Sequence, residues 1–235
     1  MSGWAPKRFW KQAEVVASGE GFSVSLDGRG LKTPAKTAFW VPSQALAEAV
    51  AAEWQAQETK IKPETMPFTR TANSALDKVT PQFTAVADML AAYGGSDLLC
   101  YRAEAPQELV ARQCAAWDPL LDWAEAEFSA KLTPTQGIMP VEQPIECQAR
   151  LAQTVHAMSP FQLAALHDLV AISGSLVLGL AIARGRIGVD AGFELSRIDE
   201  SWQIELWGVD EEAAESEAFK RDGIRHAARF FELCG

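Results

Sequence analysis

Catalysis needs reactive side chains that can converge, and the histidines, cysteines, carboxylates and glycine-rich turns of this chain are not spaced to do so. The three histidines are His156, His167 and His226. No pair has the i, i+4 spacing that sets two imidazoles on one helix face for zinc. His167 and Asp168 are adjacent, and adjacent helical residues are expected to point to different faces. Asp199 and Glu200 are likewise neighbours rather than a facing acid–base pair. Cys100, Cys114, Cys147 and Cys234 form no CxxC, so neither a zinc ribbon nor a redox pair is indicated. Such sparse cysteines suit a reducing compartment. Cys147 with His156 stays arithmetically open as nucleophile and base, but nothing favours it. No serine lies in a GxSxG elbow. Gly28, Gly30, Lys32 and Thr33 imitate a phosphate loop, yet Lys32 follows no glycine and Thr33 stands where a dinucleotide fingerprint needs its third glycine. A β-hairpin accounts for these glycines. No reaction class is indicated.

Composition excludes other classes. The chain has 235 residues, 48% apolar and 22% charged, which is ordinary globular material rather than a disordered or low-complexity chain. Its 21 basic and 31 acidic residues give a net charge of −10, and no basic run exceeds two residues. A nucleic-acid binder needs the opposite balance to displace counterions from phosphate. Leu169–Ala183 is free of charge but too short for a bilayer, which takes about 20 residues. It is expected to be a buried central helix whose Ser173, Gly174, Ser175 and Gly179 let neighbours approach. Met1–Lys11 has no continuous apolar stretch, so no secretory signal is expected there, and it is too short before the first strand for a transit peptide.

What remains is surface and aromatic material. There are eight tryptophans against two tyrosines, and tryptophan is prominent among residues that dominate interface energies. Between Glu194 and Glu217 the acidic residues outnumber the basic by nine to one. That block is either a docking surface or a solvated helix face. Read as one helix, 190–207 has an inward stripe of Leu195, Ile198, Trp202 and Leu206. A second stripe, Arg197, Glu200, Ile204 and Trp207, mixes aromatic, aliphatic and charged groups as a partner-binding face does. The plain alternative is that Arg197 and Glu200 form a surface pair worth a few tenths of a kcal/mol.

The elements that must position these residues can be read from periodicity. Phe22, Val24 and Leu26 alternate with serines as in a half-buried strand, and Asp27–Gly28 signals a hairpin. Val15–Val16 and Phe39–Val41 are expected to add strands. Ser43 is expected to cap a helix to Gln57 carrying Leu46, Ala49, Val50 and Trp54 on one face. A helical stretch over 69–93 holds Pro81, which should kink it. Asp97–Tyr101 could be one more strand. Helices are then expected at 106–128, 144–157, 160–184, 190–206 and 211–233. The fold class is α+β: an N-terminal domain, 1–95, with a small antiparallel sheet and flanking helices, then a larger α-helical bundle domain, 96–235. The boundary falls between 60 and 105.

Laid end to end, several stretches resemble the assembly chaperones of the F-type ATP synthase catalytic sector. They are KRFWKQAEV at 7–15, LDGRGLKTP at 26–34, EWQAQ at 53–57 and IKPETMPFTRTANSALDKV at 61–79. DLLCYRAEAPQELVARQCAAWDPLLDWAE at 97–125, GIMPVEQP at 137–144 and SRIDESWQIELWG at 196–208 follow in order. The family pattern is absent from 146–158 and after Gly208. The resemblance implies an N-terminal β-rich and a C-terminal helical domain, no chemistry and no cofactor. It implies that the partner is the unassembled ATP synthase alpha subunit, whose subunit interface is shielded until beta subunits replace the chaperone. Nucleic acid, stable membrane insertion and a bound metal form no part of it, and the free protein is expected to be a monomer. The compartment would be the bacterial cytoplasm, or the mitochondrial matrix in a eukaryote. By the same resemblance Glu200 takes the acidic position of the family's SRxxExxQ segment, which is linked to chaperone function. Trp54 takes the tryptophan of EWxAQ and is read as structural, since it completes its helix's apolar stripe. An enzyme with an unrecognised site and a generic holdase remain the rival readings.

Overall fold

In a computed structural model of the chain, residues 7–19 and 21–235 are described; Trp4 lies outside them. The chain forms two compact units, Met1–Phe83 with Ser159–Ala165 and Arg229–Gly235, and Thr84–Met158 with Leu166–Ala228.

In the first unit, β1 (Ala13–Ser18), β2 (Gly21–Leu26) and β3 (Arg29–Gly30) make an antiparallel sheet in that order. Asp27 and Gly28 both have positive φ, 47° and 82°, as the expected two-residue hairpin requires. The Asp27 carboxylate accepts the backbone N–H groups of Lys11 and Gln12, which holds it below the ordinary carboxylate range. The expected strand at Phe39–Val41 is only an isolated bridge, Val41 to Phe22, with another just before it, Ala38 to Lys32. Helix α1 (Gln44–Gln55) is capped by the Ser43 hydroxyl and buries Leu46, Ala47, Val50 and Ala51. Its C-terminal end is closed by the Arg8 guanidinium, which donates to the carbonyls of Gln55 and Gln57. A cation there suits the dipole and satisfies orphan acceptors.

The polar letters of EWQAQ are internal fasteners. Glu53 caps α2 (Pro67–Ser74), accepting from the N–H groups of Phe68 and Thr69 at 2.6 and 2.8 Å and from the Thr69 hydroxyl at 2.7 Å. Burial pushes its carboxyl up while those donors oppose the shift. Gln57 is buried and clamps the connector through Lys62 N–H and Thr65. After α2 the chain stays helical through a π-turn at Ala75–Val79 and a 3-10 turn at Thr80–Gln82, then enters α3 (Phe83–Ala91). The wide turn absorbs Pro81, which lacks the N–H an α-helix would use.

The second unit centres on α4 (Gln107–Phe128). Against it pack α5 (Ile145–His156), α7 (Leu176–Ala183) and α9 (Ile198–Trp207). Helix α8 (Val189–Leu195) and those parts of α6 (Pro160–Ser173) and α10 (Glu211–Leu233) that lie within 166–228 complete the set, and Leu169, Ile182, Phe193, Ile224 and Ala227 form one core cluster. The run expected as one strand near 97–101 is a 3-10 turn at Leu98–Cys100 followed by β4 (Tyr101–Arg102), which pairs in parallel with β5 (Thr135–Gln136). Two expected long helices are broken. The 160–184 helix divides at Gly174, and Ser175 caps α7. The 190–206 helix divides at Ser196–Arg197. The class is the expected one, α+β with a small antiparallel sheet near the N-terminus and a helical remainder. No helix among the described residues is long and apolar enough to cross a membrane.

Candidate partner-binding surface

Helices α9 and α10 form a hairpin whose turn is written in the sequence. Gly208 ends α9 at φ +89°, a conformation that side chains with a Cβ resist, and its N–H returns to the Ile204 carbonyl at 2.8 Å. Asp210 then caps α10, accepting the Ala213 N–H at 3.0 Å.

One side of α9 is fastened to α4. Gln113, almost fully buried, donates to Asp199 at 2.6 Å; Trp117 donates its indole N–H to the Leu195 carbonyl at 2.8 Å. Arg112 grips Glu205 with two bonds, 2.6 and 2.8 Å, and lies over the Trp202 ring. That double contact holds the Glu205 carboxyl below its ordinary range. The base of the hairpin is an ion network. Arg197 reaches Glu200 at 3.4 Å and Glu217 at 3.3 Å, and Arg221 reaches Glu217 at 3.0 Å and Glu194 at 2.6 Å. Both guanidinium groups face the Phe193 ring.

The acidic block therefore divides by role. Glu194 and Glu217 belong to the ion network at the base, Asp199 and Glu205 fasten α9 to α4, and Asp210 caps α10. Glu200 keeps 49% of its side chain in solvent although it touches Arg197. Glu211, Glu212 and Glu215 are exposed on the first turns of α10. Among them stands an apolar tip: Leu206, Trp207 and Val209 are 58%, 78% and 68% exposed. Of the residues expected to bind a partner, Trp207 and Glu200 thus reach solvent, Ile204 is half-buried, and Arg197 is largely enclosed by its carboxylates. Leu206 overturns its expected inward place: it shares a helix face with buried Ile198 but stands on the last turn of α9, where 58% of it is exposed. Val209 was not anticipated, though an apolar residue just past a helix-ending glycine is a readable signal.

Trp54 lies in the other unit, on α1, half-buried against Trp10 with ring centroids 5.2 Å apart. His167 and Asp168 do not point apart as expected: Nδ1 of His167 lies 2.9 Å from the Asp168 carboxylate, which raises the imidazole pKa. Among the described residues no group of three or more His, Cys, Asp or Glu could hold a metal ion. Cys100 and Cys234 are buried thiols pushed up to about 12, so neither is a ready nucleophile.

The ATP12 chaperone protein family matches residues 7–125. The crystal structure of Atp12 from Paracoccus denitrificans is 49% identical, covers 97% of this chain and 98% of its own, and superposes with a TM-score of 0.95. A structure from Agrobacterium tumefaciens, 40% identical, covers 98% of this chain and 87% of its own with a TM-score of 0.93. Protein atp12, mitochondrial, of Schizosaccharomyces pombe is 26% identical over 222 residues, 89% of this chain and 76% of that protein.

Proposed function

The chain belongs to the ATP12 chaperone family, the assembly chaperones of the ATP synthase, and from that premise we propose that it holds the unassembled alpha subunit until beta subunits take its place. The observation that carries the finer reading is the hairpin tip, where Leu206, Trp207 and Val209 stand in solvent inside a rim of carboxylates. Unassembled subunits expose apolar flanks that aggregate. A chaperone that covers such a flank lowers the concentration of the sticky species by mass action. It must also leave, so a few apolar anchors with a charged rim serve better than an obligate interface.

In this reading Glu200 steers docking against a basic group of the client. Arg197, held by Glu217 and stacked by Phe193, fixes where Glu200 points, while Ile204 and Trp207 supply apolar contact. The compartment is the one in which the catalytic sector is assembled, the bacterial cytoplasm or the mitochondrial matrix.

Co-expression with tagged alpha or beta subunits tests the reading: soluble alpha should rise and co-purify, and beta should not. Equal rescue of both subunits and of unrelated clients would make the protein a generic holdase instead. Glu200→Gln should leave the melting curve unchanged and lower alpha capture several-fold, most visibly at low salt. Equal capture by Glu200→Gln and the unmodified protein would remove Glu200 from the contact.

A further inference from the structure

The GIMPVEQP segment has no role in the hairpin, yet it carries the most exposed large apolar residue of the described second unit, Ile138, and beside it Met139. Ile138 is 91% exposed and Met139 is 73% exposed. Such residues normally collapse onto a core, and buried Leu132 shows that one is within reach of the same connector. Instead the loop is braced from beneath. Gln143 is 2% exposed and clamps Thr133 in both directions, accepting its N–H at 2.8 Å and donating to its carbonyl at 2.9 Å. Gln148 donates in turn to the Gln143 carbonyl at 2.9 Å. On the other flank β5 pairs with β4, and the Gly137 N–H donates to the Arg102 carbonyl at 2.8 Å. Gly137 has φ +75°, a conformation that side chains with a Cβ resist, and the Glu104 carboxylate lies beside it. Pro134, Pro140 and Pro144 stiffen the rest. Buried hydrogen bonds thus hold two large apolar side chains out in water. A preformed apolar tip of this kind loses little entropy when it docks.

The surroundings say what it fits. From Leu132 to Ala149 the only charged residues are Glu142 and Glu146, and Glu104 lies beside Gly137. The tip is therefore apolar with an acidic rim, the same chemistry as the α9–α10 turn. The two surfaces are also joined. Ala103, next to Glu104, donates its N–H to Gln113 at 2.8 Å, and Gln113 donates to Asp199, the neighbour of Glu200.

We propose that Ile138 and Met139 are a second apolar anchor for the client, used together with Glu200 and the hairpin tip. Its occupant is an apolar flank of the alpha subunit bordered by basic groups, and this rests on the reading above. The test compares alpha capture by the unmodified protein, Ile138→Asp with Met139→Asp, and Ile138→Leu with Met139→Leu, each checked by thermal melting and sedimentation. The aspartate pair should lower capture about tenfold or more with an unchanged melting curve, and the leucine pair should restore it. Unchanged capture by the aspartate pair, while the unmodified protein binds alpha, overturns the anchor and leaves the proposed function standing. No alpha capture by the unmodified protein overturns both. An equal loss of binding to an unrelated unfolded protein would make the loop an unselective apolar surface, and conversion of a dimer to monomers with capture intact would assign it to a second copy; either result overturns the proposal.

Discussion

Asp97→Ala is expected to cost about 3–5 kcal/mol of stability and to lower the melting temperature by roughly 10 °C or more. Asp97 has no exposed surface. Its carboxylate accepts the Ser175 hydroxyl at 2.6 Å and the N–H groups of Leu99 and Val177, both at 3.0 Å. Every partner donates, which suits an acceptor-only carboxylate at the N-terminus of α7. Alanine would orphan these donors together, inside a helix whose residues 176–182 are all buried. Urea melts of the variant decide the matter; a loss below about 1 kcal/mol would mean that α7 is held by packing alone.

The same residue has a pH signature. Burial raises the Asp97 pKa above its ordinary 3.8, against the pull of Ser175 and the backbone donors. Between 3.8 and the higher folded value the folded chain binds more protons than the unfolded one. The contribution of Asp97 to stability therefore falls as pH rises through that window and is flat above it. Asp97→Asn cannot titrate, so the stability of the unmodified protein relative to Asp97→Asn should decline over the same pH range. A difference that stays constant or grows with pH would contradict the effect of burial on Asp97.

Helical spacing was legible in the sequence, and long-range polar contacts were not. Helix α4 could be read almost to its ends, because Leu109, Trp117, Leu121 and Ala124 recur at helical spacing over a long stretch. Buried Gln113 could not, since its partners, Ala103 and Asp199, come from distant parts of the chain. The break at Gly174 was hidden by its own surroundings. In a charge-free run periodicity vanishes, and Ser173–Gly174–Ser175 reads as packing when it is the end of one helix and the cap of the next. Gly179 does serve close approach, since a Cβ there would meet Val170 at 2.8 Å. For the candidate surface, Glu200 and Trp207 carried a usable signal on the helical wheel. Leu206 did not, because it shares its wheel position with buried Ile198, and a wheel does not show that the last turn of α9 is left uncovered. Ile138 and Met139 lie in an irregular loop, where exposure depends on hydrogen bonds that no spacing rule encodes.

Trp54→Arg is expected to be the most damaging single change in the first unit, costing more than about 3 kcal/mol and leaving most of the protein insoluble on expression. Trp54 meets Trp10 edge-to-face at 5.2 Å, and Trp10 is only 3% exposed. Over the Trp10 ring, 5.5 Å from its centroid, lies the Arg8 guanidinium that closes α1. A second guanidinium at position 54 would remove the aromatic contact and bring a like charge toward Arg8, where α1 ends and the N-terminal segment crosses it. The Trp54 indole N–H, buried, donates to no group among the described residues. Trp54→Phe therefore deletes no hydrogen bond and keeps an aromatic edge, so it should cost less than about 1.5 kcal/mol. Solubility on expression and urea melts separate the two substitutions. If Trp54→Arg melted cooperatively within 1 kcal/mol of the unmodified protein but captured less alpha subunit, Trp54 would belong to the docking surface and its structural role would be lost.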